Sequence, residues 1–191
     1  MNKLNVLLIE QDPNITSLEN ELKAIGFIYL KTQYDSTFLR LVKDIVPNII
    51  IFNLDICSNT LFSDLKTLNQ QSALPIIIFT RDSHVGTIEL AIKTDVCAFI
   101  VGDSEHKRLH SIINVAMARF QHQQLLKAAL EEACAKLEDR KLIDRAKAIL
   151  IKTQNFTEDE AYHTLRKLAM DRNISLGEMA KNVLAMSELF K

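Results

Sequence analysis

The chain has 191 residues, 48% of them hydrophobic, and a net charge of −1 at pH 7. This length allows one or two domains with a real hydrophobic core, and the small net charge excludes attraction to nucleic acid or membrane by a global basic field. Residues 1–104 hold 8 Lys and Arg against 12 Asp and Glu, whereas residues 105–191 hold 15 against 12. Any contact with RNA must therefore come from individually placed lysines and arginines.

The cysteines and the N-terminal sequence predict where the protein resides. Cys57, Cys97 and Cys134 are odd in number and form no C-x-x-C pair, which favours reduced thiols in the cytoplasm. The first twelve residues resemble a strand and lack the apolar region and cleavage site of a signal peptide. No apolar run approaches the roughly 18 residues that a membrane helix needs. We therefore expect a soluble cytoplasmic protein with no membrane contact.

Apolar strands and amphipathic helices alternate through residues 4–103. The strand at 48–53 is apolar on both faces, which is typical of a central parallel strand covered by helices. Five strand–helix repeats in about 100 residues predict an α/β doubly wound five-stranded parallel sheet, with any site at the carboxyl ends of its strands. Asp12 and Pro13 fit the N-cap and first position of the opening helix. The predicted strands cover residues 4–9, 27–31, 48–53, 75–80 and 97–101, and the helices cover residues 14–25, 36–45, 61–70 and 85–94.

The order and spacing of these elements resemble a response-regulator receiver, the CheY-like fold. A receiver that is phosphorylated needs an aspartate nucleophile, an acidic pair for Mg²⁺, a hydroxyl and a lysine. The resemblance implies that Asn53 stands at the phosphoacceptor position, where an amide cannot form an acyl phosphate. Gln11 leaves one expected metal ligand neutral, and Gly102 replaces the lysine. The positions of this degenerate phosphoacceptor site are Glu10, Gln11, Asp12, Asn53, Asp55, Thr80 and Gly102.

These departures favour a pseudo-receiver that binds a partner or dimerises, with no phosphoryl chemistry. Thr80, at the end of the fourth strand, keeps the expected residue type. Asp55, two residues beyond Asn53, is an alternative carboxylate, although it falls in the predicted loop. The sequence identifies no metal site and no cofactor, and it leaves open whether Asp55 or Glu10 still holds Mg²⁺.

A long segment without proline or glycine extends from Glu105 to about Lys152. Its apolar residues alternate at spacings of three and four, which predicts a heptad seam and a parallel homodimer through a coiled coil at 121–136. The alternative is a helix packed on its own sheet, and it applies up to Phe120. The seam residues are Leu109, Ile112, Ala116, Gln123, Leu126, Leu130, Ala133 and Leu137, with Arg119 in an off-pattern slot.

Three short amphipathic helices, packed as a bundle, are predicted within residues 137–191. Two capping-box pairs, Thr157 with Glu160 and Ser175 with Glu178, mark the starts of the second and third helices. Each helix has one apolar face. These faces consist of Leu142, Ile143, Ala146, Ile149 and Leu150; of Ala161, Leu165, Leu168 and Ala169; and of Leu176, Met179, Ala180, Val183 and Leu184.

The motifs of this last third carry a second resemblance. RKLIDRAK at 140–147, EDEAY at 158–162, Leu165-Arg166 and Ala169-Met170 resemble the ANTAR domain, the RNA-binding output module of the AmiR and NasT antiterminators. The resemblance implies a protein that binds a tandem-hairpin leader mRNA and prevents a competing terminator from forming. NasT-like members resemble the chain most. This implies nitrate or nitrite assimilation genes as targets, and control by a ligand-sensing NasS- or AmiC-like partner protein.

Candidate RNA-binding residues follow from the chemistry of unpaired bases. Such bases stack on aromatic rings and guanidinium planes, while lysines and arginines bind phosphates. Tyr162 lies one turn before Arg166, so the two side chains form a candidate stacking platform. The alternative is an ordinary charged helix face with i,i+3 and i,i+4 ion pairs, with Tyr162 partly in the core. The candidates are Lys141, Arg145, Lys147, Tyr162, Arg166, Lys167, Arg172 and Lys181.

No enzymatic constellation is present in the sequence. His106 and His110 are four residues apart but have no third ligand at useful spacing, and no glycine-rich phosphate loop or catalytic triad occurs. We predict a pseudo-receiver at 1–120, a coiled-coil connector at 121–136 and an ANTAR domain at 137–191. Two other functions stay open, a DNA-binding response regulator with a helix-turn-helix motif and a protein-interaction adaptor without nucleic acid.

Overall fold

Five parallel strands form the centre of the first part of the chain. The computed structural model describes residues 5–12, 17–102 and 108–189. Its sheet has the strand order β2-β1-β3-β4-β5, and every neighbouring pair is parallel. The strands are β1 (Asn5–Glu10), β2 (Ile28–Thr32), β3 (Ile49–Leu54), β4 (Ile76–Thr80) and β5 (Ala98–Val101).

Helices cover both faces of this sheet. They are α1 (Ser17–Ile25), α2 (Phe38–Ile45), α3 (Asn59–Gln71), α4 (Val85–Lys93) and the first turns of α5 (Leu109–Gln154). One buried cluster joins α1 and α5 to the sheet, and the other joins α2, α3 and α4 to its opposite face. Ile50 and Ile51 of β3 belong to opposite clusters, because successive side chains of a strand alternate between faces.

The predicted doubly wound fold is confirmed, and the predicted bounds differ from the observed ones by one or two residues. Helix α3 begins earlier than predicted because Ser58 Oγ accepts a hydrogen bond from the Leu61 amide and caps the helix. Helix α2 begins later because Asp35 Oδ1 accepts from the Thr37 amide in a turn. The predicted start of the first helix at 14, with Pro13 in its first turn, lies outside the described residues.

Helix α5 runs without a break from Leu109 to Gln154. The prediction of a separate short helix around 142–150 is therefore wrong, since no residue there ends the helix. Leu109 and Ala116 were expected in the seam but are fully buried against the sheet. The alternative of packing on the chain's own sheet is correct up to Phe120. From 121 to 138, every residue of α5 is exposed.

The end of α5, α6 (Glu158–Asp171) and α7 (Leu176–Leu189) share one buried core. The predicted three-helix bundle is thus confirmed. The Thr157–Glu160 capping box is present in both directions, with the Glu160 amide donating to Thr157 Oγ1 and the Thr157 amide donating to Glu160 Oε2. Ser175 Oγ accepts from the Glu178 amide at the start of α7.

The turn between α6 and α7 is a Schellman motif. Asn173 adopts a φ of 52°, its amide donates to the Met170 carbonyl, and the Ile174 amide donates to the Ala169 carbonyl. Asparagine tolerates this left-handed conformation better than most residues. Ile174 then packs on the core of the bundle, which fixes where the chain enters α7.

The chain divides into two compact units between Gln124 and Leu125. We call them the first unit (1–124) and the second unit (125–191). The division falls inside the predicted connector, while the predicted domain boundaries at 120 and 136 stay predictions. None of the helices in the described ranges is long and apolar enough to cross a membrane.

Candidate nucleic-acid interface and receiver edge

The carboxyl ends of β1, β3 and β4 bring the predicted receiver-site residues together. Glu10 pairs in register with Asn53, and Leu54 pairs with Thr80. Glu10 is fully buried, and Asn53 Nδ2 donates to its Oε1 at 3.4 Å. This edge therefore carries one buried carboxylate facing an amide where a receiver has its nucleophile.

The remaining predicted positions of this edge are held by short hydrogen bonds. Gln11 Oε1 accepts from the Asp55 amide at 2.8 Å, and Thr80 Oγ1 donates to the Asp55 carbonyl at 3.0 Å. The Gly102 amide donates to the Thr80 carbonyl at 2.9 Å. Asp55 is exposed beyond the end of β3, with its Oδ1 3.7 Å from Arg81 Nη1, and Asp12 is exposed after β1. Both acids lie beyond the ends of their strands, whereas Asn53 lies within β3.

Lys31 of β2 completes this edge and is not among the residues predicted for it. Its Nζ lies 2.7 Å from Glu10 Oε2, an ion pair without the alignment of a hydrogen bond, and 3.3 Å from Glu19 Oε2. The Glu10 carboxylate raises the pKa of Lys31. A single lysine in the apolar stretch 28–32 could have indicated an ion pair, but its partner depends on the register between β1 and β2.

An exposed row of side chains follows the outer face of α6. Ala161, Leu165 and Ala169 are buried on the inner face, so residues at 162, 166 and 170, each one position further along, form a row beside that face. Tyr162 is 38% exposed and Met170 is 71% exposed, and Arg166 stands between them. Tyr162 and Arg166 are among the predicted RNA-binding residues, and Met170 is not. The spacing of four residues between Arg166 and Met170 could have indicated that Met170 lies in the same row. We call Tyr162, Arg166 and Met170 the α6 row.

The chain is similar in sequence to known regulatory proteins. Residues 131–184 match the ANTAR domain family. This match lies within the second unit. Over 138 residues the chain is 25% identical to the transcriptional regulatory protein PdtaR of Mycobacterium tuberculosis, covering 72% of this chain and 67% of PdtaR. The nitrate regulatory protein of Klebsiella oxytoca is 41% identical over 64 residues, which cover 34% of this chain and 15% of that protein.

The fold of the first unit also occurs in solved structures. The signal receiver domain of a modulated diguanylate cyclase from Desulfovibrio desulfuricans G20 superposes with a TM-score of 0.54 at 20% identity, covering 64% of this chain and 99% of that one. A chemotaxis response regulator of Vibrio cholerae gives a TM-score of 0.52 at 15% identity, covering 60% and 99%. These similarities show the receiver fold. Both sequence relatives are named as regulatory proteins, in agreement with the prediction of a regulator with no enzymatic role.

The predicted cations of the ANTAR domain fall into two groups. Lys147 is 17% exposed and lies between Asp144 Oδ1 at 2.8 Å and Glu158 Oε1 at 2.9 Å, so it joins α5 to α6. Hydrogen bonds to Asp144 and then Glu158 raise the pKa of Lys147. Lys141 Nζ pairs with Glu138 at 2.7 Å on an exposed face. The remaining candidates, Arg145, Arg166, Lys167, Arg172 and Lys181, are exposed on α5, α6, the end of α6 and α7.

The receiver fold implies Mg²⁺, and the side chains at this edge do not fit that ion. Mg²⁺ prefers carboxylate oxygens in an octahedral shell. Gln11 and Asn53 present neutral amides that are already hydrogen-bonded, and the Lys31 ammonium repels a second cation beside Glu10. Within residues 5–12, 17–102 and 108–189, no group of three His, Cys, Asp or Glu side chains could hold a metal ion. His110 contacts Asn114 at 3.4 Å, and His106 lies outside these ranges.

Proposed function

We propose that this protein is an RNA-binding transcription antitermination regulator. It binds a tandem-hairpin leader in nascent mRNA and stabilises it against a competing terminator hairpin. The ANTAR match at 131–184 and the regulatory relatives support this proposal. Protein binding shifts the balance between two RNA folds by its differential affinity for one of them. Nascent transcripts are cytoplasmic in bacteria, so we place the activity there.

The α6 row is the main structural observation in support of RNA binding. A tyrosine ring, a guanidinium and a thioether stand one turn apart on exposed positions of α6. Aromatic and guanidinium planes are the surfaces on which unpaired bases stack. Asp144 and Glu158 neutralise Lys147, which leaves Arg145, Lys167, Arg172 and Lys181 to bind phosphates around the stacked bases.

Self-association through α5 presents two ANTAR domains to two hairpin loops. Leu126, Leu130 and Leu137 are large, exposed and spaced by four and seven residues along the helix. A parallel coiled coil would bury these leucines, while Gln123 at the start of the seam lowers its stability and helps to fix its register. Linking two domains raises the effective affinity for a tandem site without any new contact.

We also propose that a ligand-sensing partner of the NasS or AmiC kind controls the protein, with nitrate or nitrite assimilation genes as targets. The 41% identity over 64 residues to a nitrate regulatory protein supports the choice of genes. Asn53 supports control without phosphorylation, because a carboxamide forms no acyl phosphate. The sensor protein would then bind to the first unit. Acetyl phosphate should leave RNA binding unchanged.

RNA binding by the full chain tests this proposal. Fluorescence anisotropy with a synthetic tandem-hairpin leader should show salt-dependent binding that depends on single loop bases. Arg166→Ala should weaken binding roughly tenfold and reduce the salt slope by about 0.7, and Tyr162→Ala should weaken it by about 1–3 kcal/mol.

The matched control is Arg40→Ala, which removes an exposed arginine of α2 in the first unit and should leave binding unchanged. Equal binding to duplex DNA of the same sequence, or equal loss in the Arg40 and Arg166 variants, would contradict the proposal. Binding to neither nucleic acid would favour a protein-interaction adaptor.

A further inference from the structure

The buried carboxylate of the receiver edge has a cation of its own. Glu10 is fully buried, and an isolated charge in such a place is strongly unfavourable. The Lys31 ammonium, whose side chain is 18% exposed, lies 2.7 Å from Glu10 Oε2. Both residues belong to neighbouring parallel strands, β1 and β2, with Leu8 in register with Lys31. The ion pair therefore sits at the carboxyl ends of the strands, where the receiver fold implies a divalent cation.

Other groups hold the Lys31 ammonium at this place. Glu19 Oε2 of α1 lies 3.3 Å from Lys31 Nζ, and Glu19 Oε1 accepts hydrogen bonds from Tyr29 and Lys23, each at 2.7 Å. These three donors lower the pKa of Glu19 to about 2, so that carboxylate stays charged at neutral pH. On the other side, Asn53 Nδ2 donates to the second oxygen of Glu10. One oxygen of the buried carboxylate thus accepts a hydrogen bond from Asn53, and the other faces the Lys31 ammonium as an ion pair.

We propose that Lys31 is a built-in counter-ion that takes the role of the divalent cation at this receiver edge. It neutralises Glu10 and fixes the carboxyl ends of β1 and β2 in one arrangement that needs no Mg²⁺. Two features then disfavour Mg²⁺ at this edge: the neutral side chains of Gln11 and Asn53, and the positive charge of Lys31. The chain supplies its own charge, so restoring the ligands alone does not restore the site. This inference is independent of RNA binding.

A stability experiment on the full chain tests the ion pair. Lys31→Met should lower the melting temperature by at least about 5 °C, because it leaves the buried Glu10 carboxylate without a counter-ion. Glu10→Gln/Lys31→Met removes both charges and should recover most of this loss. Lys23→Met is the matched control, since Lys23 pairs with Glu19 and is 59% exposed, and it should change the melting temperature by about 1 °C or less.

A titration with Mg²⁺ tests the exclusion of the metal. The wild-type melting temperature should be the same in MgCl₂ and in NaCl of equal ionic strength. In a Gln11→Asp/Asn53→Asp background, which adds two carboxylates to that of Glu10, Mg²⁺ should bind weakly. Adding Lys31→Met to that background should tighten binding roughly tenfold or more by calorimetry, because the repelling charge is gone.

Three results would overturn the inference. One is stabilisation of the wild-type chain by Mg²⁺ beyond the NaCl control. Another is an equal Mg²⁺ affinity of the restored-ligand variants with and without Lys31. The third is a double variant, Glu10→Gln/Lys31→Met, that is no more stable than Lys31→Met, since the cost of the single variant would then not come from an uncompensated Glu10.

Discussion

Single residues of the ANTAR domain separate into those that hold the bundle and those that are available to a ligand. Lys147 and Arg145 are two residues apart in the same motif, and the sequence treats both as candidate RNA contacts. The structure places Lys147 between two carboxylates on two helices, whereas Arg145 is exposed. A cation with two carboxylate partners has little charge left to offer a phosphate.

Lys147→Ala should therefore affect stability more than RNA binding. We expect its melting temperature to fall by about 2–4 °C, because the bridge between α5 and α6 is lost, with RNA affinity within about twofold of wild type. Arg145→Ala should show the reverse pattern, an unchanged melting temperature and roughly tenfold weaker RNA binding. Differential scanning fluorimetry and anisotropy on the same preparations measure both. A larger RNA defect in the Lys147 variant would reverse the assignment.

The capping box at α6 makes the stability of the bundle depend on pH. Hydrogen bonds from the Thr157 backbone and hydroxyl hold the pKa of Glu160 below its ordinary value of 4.5. A lowered folded-state pKa means that the carboxylate stabilises the fold above pH 4.5, and that this contribution is lost as the pH falls through the folded value.

Urea unfolding at several pH values should detect this contribution. From pH 5 to pH 3, the free energy of unfolding should fall less in Glu160→Gln than in wild type. Asp159→Asn, which changes an exposed acid of the same turn outside the capping pair, should keep the wild-type slope. Parallel curves for Glu160→Gln and wild type would show that the box contributes nothing to acid sensitivity.

At the scale of elements, α7 approaches α5 at a glycine. A methyl group built on Gly177 would overlap the Asp139 carboxylate of α5. In most helices, alanine in place of glycine stabilises by about 1 kcal/mol. Here we expect Gly177→Ala to lose most of that gain and to change stability by less than about 0.5 kcal/mol, because the Asp139 carboxylate has to rotate away. In an Asp139→Ala background the same change should stabilise by about 0.5–1 kcal/mol, which chemical unfolding of the four variants measures. A gain in the wild-type background as large as that in the Asp139→Ala background would exclude the overlap.

Elements were predictable from the sequence where local chemistry decides them. The five strands follow from apolar runs, and α6 begins at Thr157 because its hydroxyl and Glu160 cap each other. The three apolar stripes of the last third predict three separate helices. The first of these is instead the end of α5, because no residue before Gln154 ends that helix. Lys31 was missed because its partner is set by strand pairing over a separation of 21 residues, between Glu10 and Lys31, which no local pattern encodes.

At the scale of the whole molecule, self-association should govern affinity for a two-loop RNA. Leu130 lies in the seam and is 64% exposed, and Leu125 lies outside it and is 70% exposed. Leu130→Glu should weaken dimerisation at least about tenfold, because it places like charges opposite each other in a coiled coil. Leu125→Glu is the matched control and should leave dimerisation unchanged. Sedimentation over a range of concentrations measures this.

The same pair of variants tests the link between dimer and RNA. Leu130→Glu should lose about a hundredfold in affinity for a tandem hairpin and almost nothing for a single hairpin, since it removes linkage and leaves the contacts in place. Leu125→Glu should bind both RNAs as wild type does. A wild-type chain that stays monomeric at tens of micromolar, or equal effects of the two leucines, would rule out the seam.

The uncovered helix between 121 and 138 has a consequence for how the chain is degraded. A helical stretch of about this length is marginally stable in water when no side chains back its hydrogen bonds, and here every residue faces solvent in a single copy. Transient local unfolding would begin in this segment. In a monomer, a protease would therefore cleave first between residues 121 and 138. If the proposed dimer forms, the second copy would cover this site, and the cellular lifetime of the protein would then depend on its concentration.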